Sequence, residues 1–306
     1  MIAKLDDLSA ITIKRKRKTT VAVVEAHDRH TLEAVVRAVD DGIMTPLLIG
    51  DNEQTASLLA EISENPDNYE IIHAPNREAS LSIAVDCIHT GKAGALMKGA
   101  LESSDFLRAV VSRGNNLLSG SILSLTGLYE APGYHKIFAV SDVVVNLYPD
   151  LKAKRAIIEN AVGMLRQLGI AQPKVAILSA VDKPNEKMPD TLDADTLKKM
   201  NNEGIITDCV IEGPISFDLA TSPEAAEIKG YNSPVAGDAD LLIVPDLTSG
   251  NILVKCLTGM AGARTAGAVL GAKVPVIFTS RSAEASDKYY SIALAAFLGS
   301  TGEGSG

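Results

Sequence analysis

Residues 274–298 read VPVIFTSRSAEASDKYYSIALAAFL and carry the clearest folding signal in the chain. The run at 274–278 is short, apolar and rich in β-branched side chains, which predicts a buried strand. Apolar side chains then recur at helical spacing, at Tyr289, Ile292 and Phe297 among others, which predicts a helix with one buried stripe. A strand that leads directly into a helix is typical of α/β folds, so an α/β fold is expected.

Three polar side chains, Ser280, Arg281 and Asp287, lie between the predicted strand and the predicted helix. In open α/β sheets, ligands bind just beyond the carboxyl ends of the strands, so these three are candidate site residues. The same segment also fits an ordinary helix start, with Ser282 or Ser286 as the cap and Asp287 favoured by the helix dipole. The pattern alone does not choose between the two interpretations.

The chain upstream alternates predicted strands with amphipathic helices. Strands are predicted at residues 20–25, 45–50, 69–74 and 95–99. Such alternation indicates a parallel sheet with right-handed crossovers. At residues 121–146 two extended runs surround a Pro-Gly turn, which predicts antiparallel pairing and the crossing into a second domain. The length of 306 residues also suggests two domains.

The composition is that of a globular protein and excludes several classes. Hydrophobic residues make up 46% of the chain and charged residues 22%, and no apolar run reaches the ~18–20 residues of a membrane span. A net charge of −9 argues against general nucleic-acid binding, although a locally basic cleft can still bind phosphorylated substrates. The three cysteines lack metal or redox spacing, and no signal peptide is recognised, so a cytoplasmic protein is expected.

Two further segments contain candidate binding residues. Lys98 and Gly99 end a short strand just before a predicted helix that carries Arg108, which together would form an anion site. Arg108 also fits a solvent-facing position on that helix. Gly250 and Asn251 lie at another helix start, where backbone N–H groups can approach a ligand closely, or where Asn simply caps the helix. The familiar nucleotide-binding motifs GxxxxGK[ST] and GxGxxG are missing from the sequence.

Taken together, several segments resemble the phosphate acetyl/butyryl transferases, and most closely the phosphate butyryltransferase branch. The similarity covers nearly the whole chain, which makes it more specific than any single motif. The matching segments are LMKG at 96–99, DFLRAV at 105–110, PGY at 132–134, VAILSAV at 175–181, SPVAGDADLLIVPD at 233–246, SGNILVK at 249–255, TSR at 279–281 and SIALA at 291–295.

The resemblance implies a fold of two three-layer α/β domains with an interdomain cleft, like that of the isocitrate and isopropylmalate dehydrogenases. The first domain would be discontinuous, comprising residues 1–135 and 285–306, and the second would comprise residues 136–284. The C-terminal helix would then return to the first domain. The resemblance also implies a homodimer or a higher homo-oligomer.

The implied reaction is reversible: acyl-CoA and inorganic phosphate give acyl phosphate and free CoA. CoA and phosphate are substrates, and neither a metal nor an organic cofactor is expected. The butyryl branch implies a butyryl or similar short acyl group. A preference for acetyl-CoA is the alternative, because one methylene changes specificity by only ~1–3 kcal/mol and pocket volume is not visible in the sequence.

The resemblance implies a role for each residue of the trio, whose spacing matches the family pattern. Asp287 would act as general base on the CoA thiol, and Ser280 would hydrogen-bond the charge that develops on the tetrahedral intermediate. Arg281 would hold phosphate through its planar fork of donors. Arg108 lies in a matching segment, which implies a second cleft arginine, and Arg113 is a candidate for a further one.

Two other function classes remain open at this point. A metal- and NAD-dependent 2-hydroxy acid dehydrogenase can share this fold, and Asp238, Asp240 and Asp246 would be its candidate metal ligands. A non-catalytic ligand-binding protein is the second class. The intact trio argues against it, because folding alone does not require Ser, Arg and Asp at that spacing.

Overall fold

The computed structural model describes residues 2–16, 18–120, 122–280 and 283–299. The chain forms two compact units. One, here called the central unit, comprises Met1–Lys4 and Ser121–Thr265, and the other, the terminal unit, comprises Leu5–Gly120 and Ala266–Gly306.

Strands and helices alternate along most of the chain. The strands are β1 (Thr19–Val24), β2 (Met44–Gly50), β3 (Glu70–His73), β4 (Ala95–Lys98), β5 (Ser124–Glu130), β6 (Phe138–Ser141), β7 (Lys174–Leu178), β8 (Val210–Ile215), β9 (Leu241–Ile243), β10 (Arg264–Leu270) and β11 (Val276–Ile277). The helices are α1 (Leu5–Lys14), α2 (Arg29–Asp40), α3 (Asn52–Glu61), α4 (Arg77–His89), α5 (Ser103–Val111), α6 (Leu151–Gln167), α7 (Pro189–Asn202), α8 (Phe217–Thr221), α9 (Pro223–Ile228), α10 (Leu247–Gly259) and α11 (Ala285–Gly299).

The terminal unit is built around the strand order β3-β2-β1-β4-β11-β10. The strands from β3 to β11 run parallel, and β10 is antiparallel to β11. The chain passes from β1 outward to β2 and β3 and then returns to β4 on the other side of β1. Strand order therefore reverses between β1 and β4, and in open α/β sheets ligands bind outside the carboxyl ends of the strands at such a switch point.

The C-terminal helix α11 belongs to the terminal unit, where it packs against α1 and α2. Its residues from Lys288 to Leu298 are buried. The Tyr289 hydroxyl donates a hydrogen bond of 2.6 Å to Asp41 at the end of α2, and the Tyr290 hydroxyl donates to Asp6 in α1. A helix that is buried all round is held by its neighbours more than by its own propensity.

The two units do not end at residues 135 and 284, where the domain boundaries were predicted. The difference at the second boundary arises because β11 pairs with β4, which places residues 276–277 in the terminal unit. In the predicted division, residues 136–284 form one domain. Both divisions build one unit from the two ends of the chain.

The central unit has the strand order β5-β6-β9-β7-β8. Strands β5 and β6 pair in antiparallel fashion, which confirms the prediction made from the Pro-Gly turn. The remaining neighbours are parallel, so β6, β7, β8 and β9 present their carboxyl ends at one edge. Asp150 and Asp246 cap α6 and α10 by accepting hydrogen bonds from first-turn amides. Both units are therefore α/β, and the predicted fold class is confirmed.

No helix in the described ranges is long and apolar enough to cross a membrane.

Candidate active site

The carboxyl ends of β1, β4 and β11 place polar residues at one edge of the terminal unit. Glu25 follows β1, Lys98 is the last residue of β4, and Thr279 and Ser280 follow β11. Since the three strands are parallel neighbours, these residues lie along one sheet edge. This edge includes the switch point between β1 and β4, where ligand binding is expected.

Lys98 supplies a buried cation at this edge. It is 1% exposed, and its Nζ donates to the Gly99 carbonyl at 3.2 Å and lies 5.8 Å from the ring centroid of Phe278. Gly99 allows its backbone to lie close to that of Glu25, because a Cβ atom at this position would lie 2.1 Å from the Glu25 carbonyl oxygen. Lys98, which the sequence predicts to form part of an anion site, is therefore located at the switch point.

Glu25 is held in an unusual conformation beside Lys98. It is buried, and its backbone φ of 55° lies in a region that residues other than Gly rarely adopt. Its carboxylate accepts a hydrogen bond from the Ser80 hydroxyl and lies 3.6 Å from His27 Nε2. Strain of this kind, ~1–3 kcal/mol, clusters at functional sites, which favours a functional role for this strand end.

Two buried polar atoms near this edge have no hydrogen-bond partner among the described residues: His27 Nδ1 and Thr279 Oγ1. Buried polar atoms are normally paired, so two such atoms here favour an edge completed by a ligand. Asp28 is the N-cap of α2, and its side chain accepts a hydrogen bond from the Thr31 amide. The sequence pattern does not single out Glu25, Ser80 or Thr279, because neither the backbone conformation nor the burial of their side chains can be seen in it.

Burial alone would raise the pKa of Asp28, the cap of α2. The hydrogen bonds from Thr31 and the nearby Lys288 ammonium outweigh this effect, and the pKa is lowered from its usual value. Lys288 is buried in the first part of α11, with its Nζ 3.1 Å from the Asp28 carboxylate. This ion pair fixes the start of α11 against α2.

The structure describes two residues of the predicted trio, Ser280 and Asp287. Ser280 is exposed and follows Phe278 and Thr279 beyond β11, and its carbonyl accepts from the Ala283 amide at 3.1 Å. Asp287 lies half-buried in the first turn of α11, where the helix dipole favours a carboxylate. Since α11 begins at Ala285, Ser286 lies inside the helix and does not cap it. Arg281 and Ser282 lie outside the described residues.

Arg108 and Arg113 lie on exposed surface. The Arg108 side chain on α5 is 76% exposed and pairs with Asp105 at 3.3 Å, one turn earlier on the same helix. Arg113 is exposed in a short 3-10 helix, Arg113–Asn115. Their predicted roles in phosphate binding stay predictions.

Gly250 and Asn251 lie in α10 of the central unit. The Gly250 amide donates to the Asp246 carbonyl at 3.1 Å, so this donor is used within the helix. A Cβ atom at this position would lie 2.7 Å from Val244 Cγ2, which shows that the small residue serves helix–strand packing. Asn251 is exposed on α10, and its binding role stays a prediction.

The candidate metal ligands of the dehydrogenase alternative are engaged in other contacts. Asp238 pairs with Lys136 and Lys174, Asp240 also pairs with Lys136, and Asp246 caps α10. Across the described ranges, no group of three or more His, Cys, Asp or Glu side chains is arranged to hold a metal ion.

Comparison with known proteins gives one consistent family. Residues 68–296 match the family described as phosphate acetyl/butaryl transferase. The chain is 38% identical to the phosphate butyryltransferase of Clostridium acetobutylicum over 94% of this chain and 95% of the relative. It is 37% identical to the phosphate acetyltransferase of Thermotoga maritima over 94% of this chain and 97% of the relative.

Solved structures agree with the sequence matches. A branched-chain phosphotransacylase from Enterococcus faecalis V583 superposes with a TM-score of 0.81 at 31% identity, covering 92% of this chain and 99% of that chain. A 4-hydroxythreonine-4-phosphate dehydrogenase from Klebsiella pneumoniae has a TM-score of 0.53 at 12% identity, over 92% of this chain and 100% of that chain, which shows likeness of fold alone. From the matches over most of its length, the chain belongs to the phosphate acetyl/butyryl transferase family.

Proposed function

We propose that the chain catalyses the reversible transfer of a short-chain acyl group between CoA and inorganic phosphate, giving acyl phosphate and free CoA. The observation that carries this proposal is the 38% identity to a phosphate butyryltransferase over 94% of the chain. We place the chemistry in the terminal unit, at the edge of parallel strands that carries Lys98 and Ser280, because α/β sheets bind ligands at such edges.

Asp287 accepts the proton of the CoA thiol and returns it in the reverse direction. A free thiol with a pKa of about 8.5 is a poor nucleophile at neutral pH, so it needs a base as it attacks. When acyl-CoA forms, the thiol sulfur bonds to the acyl phosphate carbonyl carbon, Asp287 accepts the proton, and phosphate leaves. In the other direction a phosphate oxygen attacks the thioester carbonyl carbon, and Asp287 returns a proton to the departing thiolate.

Ser280 and Arg281 act on the charges that develop during this exchange. The Ser280 hydroxyl donates a hydrogen bond to the oxyanion of the tetrahedral intermediate, and Arg281 holds phosphate with two parallel donors. Both substrates react directly in one ternary complex, without an acyl group on Ser280. Neither a metal nor an organic cofactor takes part, because a base and cationic groups supply what the exchange needs.

Further substrate contacts are proposed at residues of both units. Lys98 is placed at the sheet edge as a cation for phosphate, and Arg108 and Arg113 are further candidates for this anion. Gly250 and Asn251 are candidates for substrate contact on the central unit. The enzyme is proposed to act in the cytoplasm. It is also proposed to be a homodimer, and light scattering coupled to size-exclusion chromatography will test this through the molar mass.

A butyryl-like chain is the proposed acyl group, since the resemblance is to the butyryl branch. The test is phosphate-dependent thiol release from acyl-CoA substrates of two to six acyl carbons. We expect the highest kcat/KM at about four carbons. A clear preference for acetyl-CoA would overturn the chain-length assignment, and thiol release that does not depend on phosphate would overturn the function itself.

A further inference from the structure

A buried ion pair lies beside the residue that we propose as the base. Lys288 directly follows Asp287 in α11, and its side chain is almost completely buried. Its ammonium lies 3.1 Å from the Asp28 carboxylate and donates a hydrogen bond of 3.2 Å to the Thr31 hydroxyl. A lysine is almost never fully buried unless it is paired, so this position depends on Asp28. The chemistry proposed above makes no direct use of the pair.

The carboxylate that holds Lys288 is itself fixed in direction. Asp28 caps α2, and its carboxylate accepts hydrogen bonds from the Thr31 amide at 3.2 Å and from the Thr31 hydroxyl. A side chain that caps a helix is restricted by the amides that it satisfies. Lys288 is therefore tied to a well-oriented group at the start of α2, and the first turn of α11 is held there with it.

A second contact reaches the backbone of Asp287 itself. The Ser291 hydroxyl donates a hydrogen bond to the Asp287 carbonyl at 2.8 Å, and its oxygen accepts one from the Gly267 amide of β10 at 3.0 Å. Ser291 is buried one helical turn after Asp287. Asp287 is thus linked to β10 through Ser291, while its neighbour Lys288 is linked to α2.

The position of Asp287 in the helix explains why such contacts matter. Asp287 is in the first turn of α11, which begins at Ala285. The first four N–H groups of a helix have no partner within the helix, and helix ends fray. A general base must lie within hydrogen-bond reach of the proton that it accepts, and a misplacement of about 1 Å can lower a rate by about 10²-fold.

We propose that Lys288, Asp28 and Ser291 are positioning residues that hold Asp287 in place for proton transfer, an inference that rests on the proposed function. They act on the reaction through Asp287 and not through contact with substrate. Their removal should therefore lower kcat and leave the KM values nearly unchanged.

An ion-pair variant that combines Asp28→Asn with Lys288→Met tests the first contact. Removing one charge would leave the other buried and unpaired, whereas removing both avoids this penalty. Asparagine still caps α2, so we expect a urea midpoint close to that of wild type. The kcat for acyl-CoA formation should fall by about 10-fold or more, and the KM values for CoA and butyryl phosphate should change by less than about twofold.

Ser291→Ala tests the second contact and should also lower kcat with little change in KM. It decides the inference alone if the ion-pair variant does not fold. Both variants are then combined with Asp287→Asn. Once Asp287 cannot accept the proton, its position no longer affects the rate, so neither variant should lower kcat by more than about twofold in this background.

Asp51→Asn is the matched control. Asp51 caps α3 by accepting a hydrogen bond from the Gln54 amide at 2.9 Å, as Asp28 caps α2, and its substitution should leave kcat unchanged. Wild-type kcat in the folded ion-pair variant or in Ser291→Ala would overturn the inference. A loss of kcat that is equally large in the Asp287→Asn background would also overturn it, since the residues would then act on the whole fold.

If the wild type shows no phosphate-dependent thiol release, the proposed function fails instead. Amide hydrogen exchange of residues 285–291 then decides whether the contacts hold the start of α11. Exchange must be faster in the ion-pair variant and in Ser291→Ala than in wild type, because local opening becomes easier when such contacts are lost. Unchanged exchange in these variants would show that the start of α11 does not depend on them and would overturn the inference.

Discussion

Glu25 is held by contacts from several parts of the terminal unit. Its left-handed backbone conformation is costly, and the Ser80 hydroxyl and the close approach of Gly99 hold it in place. Ser80 lies 55 residues away in sequence, so the arrangement depends on the tertiary fold. The edge around Lys98 is thus held by contacts within the protein, and such preorganisation reduces the ordering that binding would otherwise require.

Substitutions of Asp287 and Ser280 distinguish direct transfer from an acyl-enzyme. We expect Asp287→Asn to lower kcat by roughly 10²–10⁴-fold, the usual range for a lost general base. Ser280→Ala should lower kcat by about 10²–10³-fold, as for a lost oxyanion donor. CoA binding, measured by calorimetry, should persist in both variants. Ping-pong kinetics, or an acyl group found on Ser280 by mass spectrometry after quenching, would contradict direct transfer.

Thr279 allows stability and activity to be separated. Its buried hydroxyl has no hydrogen-bond partner among the described residues, so the nearly isosteric Thr279→Val removes a group that costs free energy in the unliganded protein. We expect the free energy of unfolding to be unchanged or higher by up to about 1–2 kcal/mol, measured by urea denaturation. The KM for phosphate should rise if the hydroxyl pairs with this substrate.

Thr126→Val is the control for this experiment. Thr126 is also buried, but its hydroxyl donates to Ser141 Oγ at 3.2 Å. Its replacement removes this buried hydrogen bond, although Ser141 keeps its own bond to the Leu125 carbonyl, and should lower the free energy of unfolding by about 0.5–1.5 kcal/mol. Equal destabilisation by both substitutions would show that Thr279 is paired in solution.

At the scale of elements, every end of strands β1 to β4 was predicted to within one residue, because periodicity and β-branched side chains are local signals. Helix α1 and strand β10 were not predicted. The segment of β10, RTAGAVL, is rich in Ala and Gly, which have low strand propensity, and tertiary pairing decides its conformation. The contacts of Glu25 could not be predicted for the same reason, since they join distant segments.

Asp238 joins several elements of the central unit. It pairs with Lys136 and His135 near β6 and with Lys174 at the start of β7. Burial raises the pKa of Asp238, but hydrogen bonds from Lys136, Lys174 and His135 outweigh this and lower the pKa well below its usual value of 3.8. A lowered carboxyl pKa contributes stability above about pH 4, which is lost as the pH falls toward the native-state pKa.

We therefore expect Asp238→Asn to be less stable than wild type at pH 7, with a difference that shrinks as the pH falls below about 4. Urea denaturation of both proteins between pH 3 and pH 7 measures this. The partly exposed position of Asp238 limits the size of the effect, because solvent screens the ion pairs. A difference that stays constant over this pH range would show that packing, and not charge, is responsible.

For the whole molecule, α11 is an element on which we expect the terminal unit to depend. Deleting residues 285–306 removes a helix whose side chains are buried from Lys288 to Leu298 and uncovers apolar surface on α1 and α2. We expect this truncated chain to be insoluble, and a chain that ends at Gly299 to fold because it retains α11. Soluble expression and far-UV circular dichroism compare the two. A soluble, cooperatively unfolding chain without α11 would contradict this dependence.

The position of β11 between β4 and β10 has a consequence for synthesis on the ribosome. Strand β4 is complete at Lys98, but its neighbour β11 begins only at Val276. At translation rates of about 5–20 residues per second, the pairing edge of β4 stays open for roughly 10–40 s in the nascent chain. An unpaired edge strand recruits other chains. The interval before residue 276 is therefore the time at which a chaperone contributes most to the yield of this enzyme.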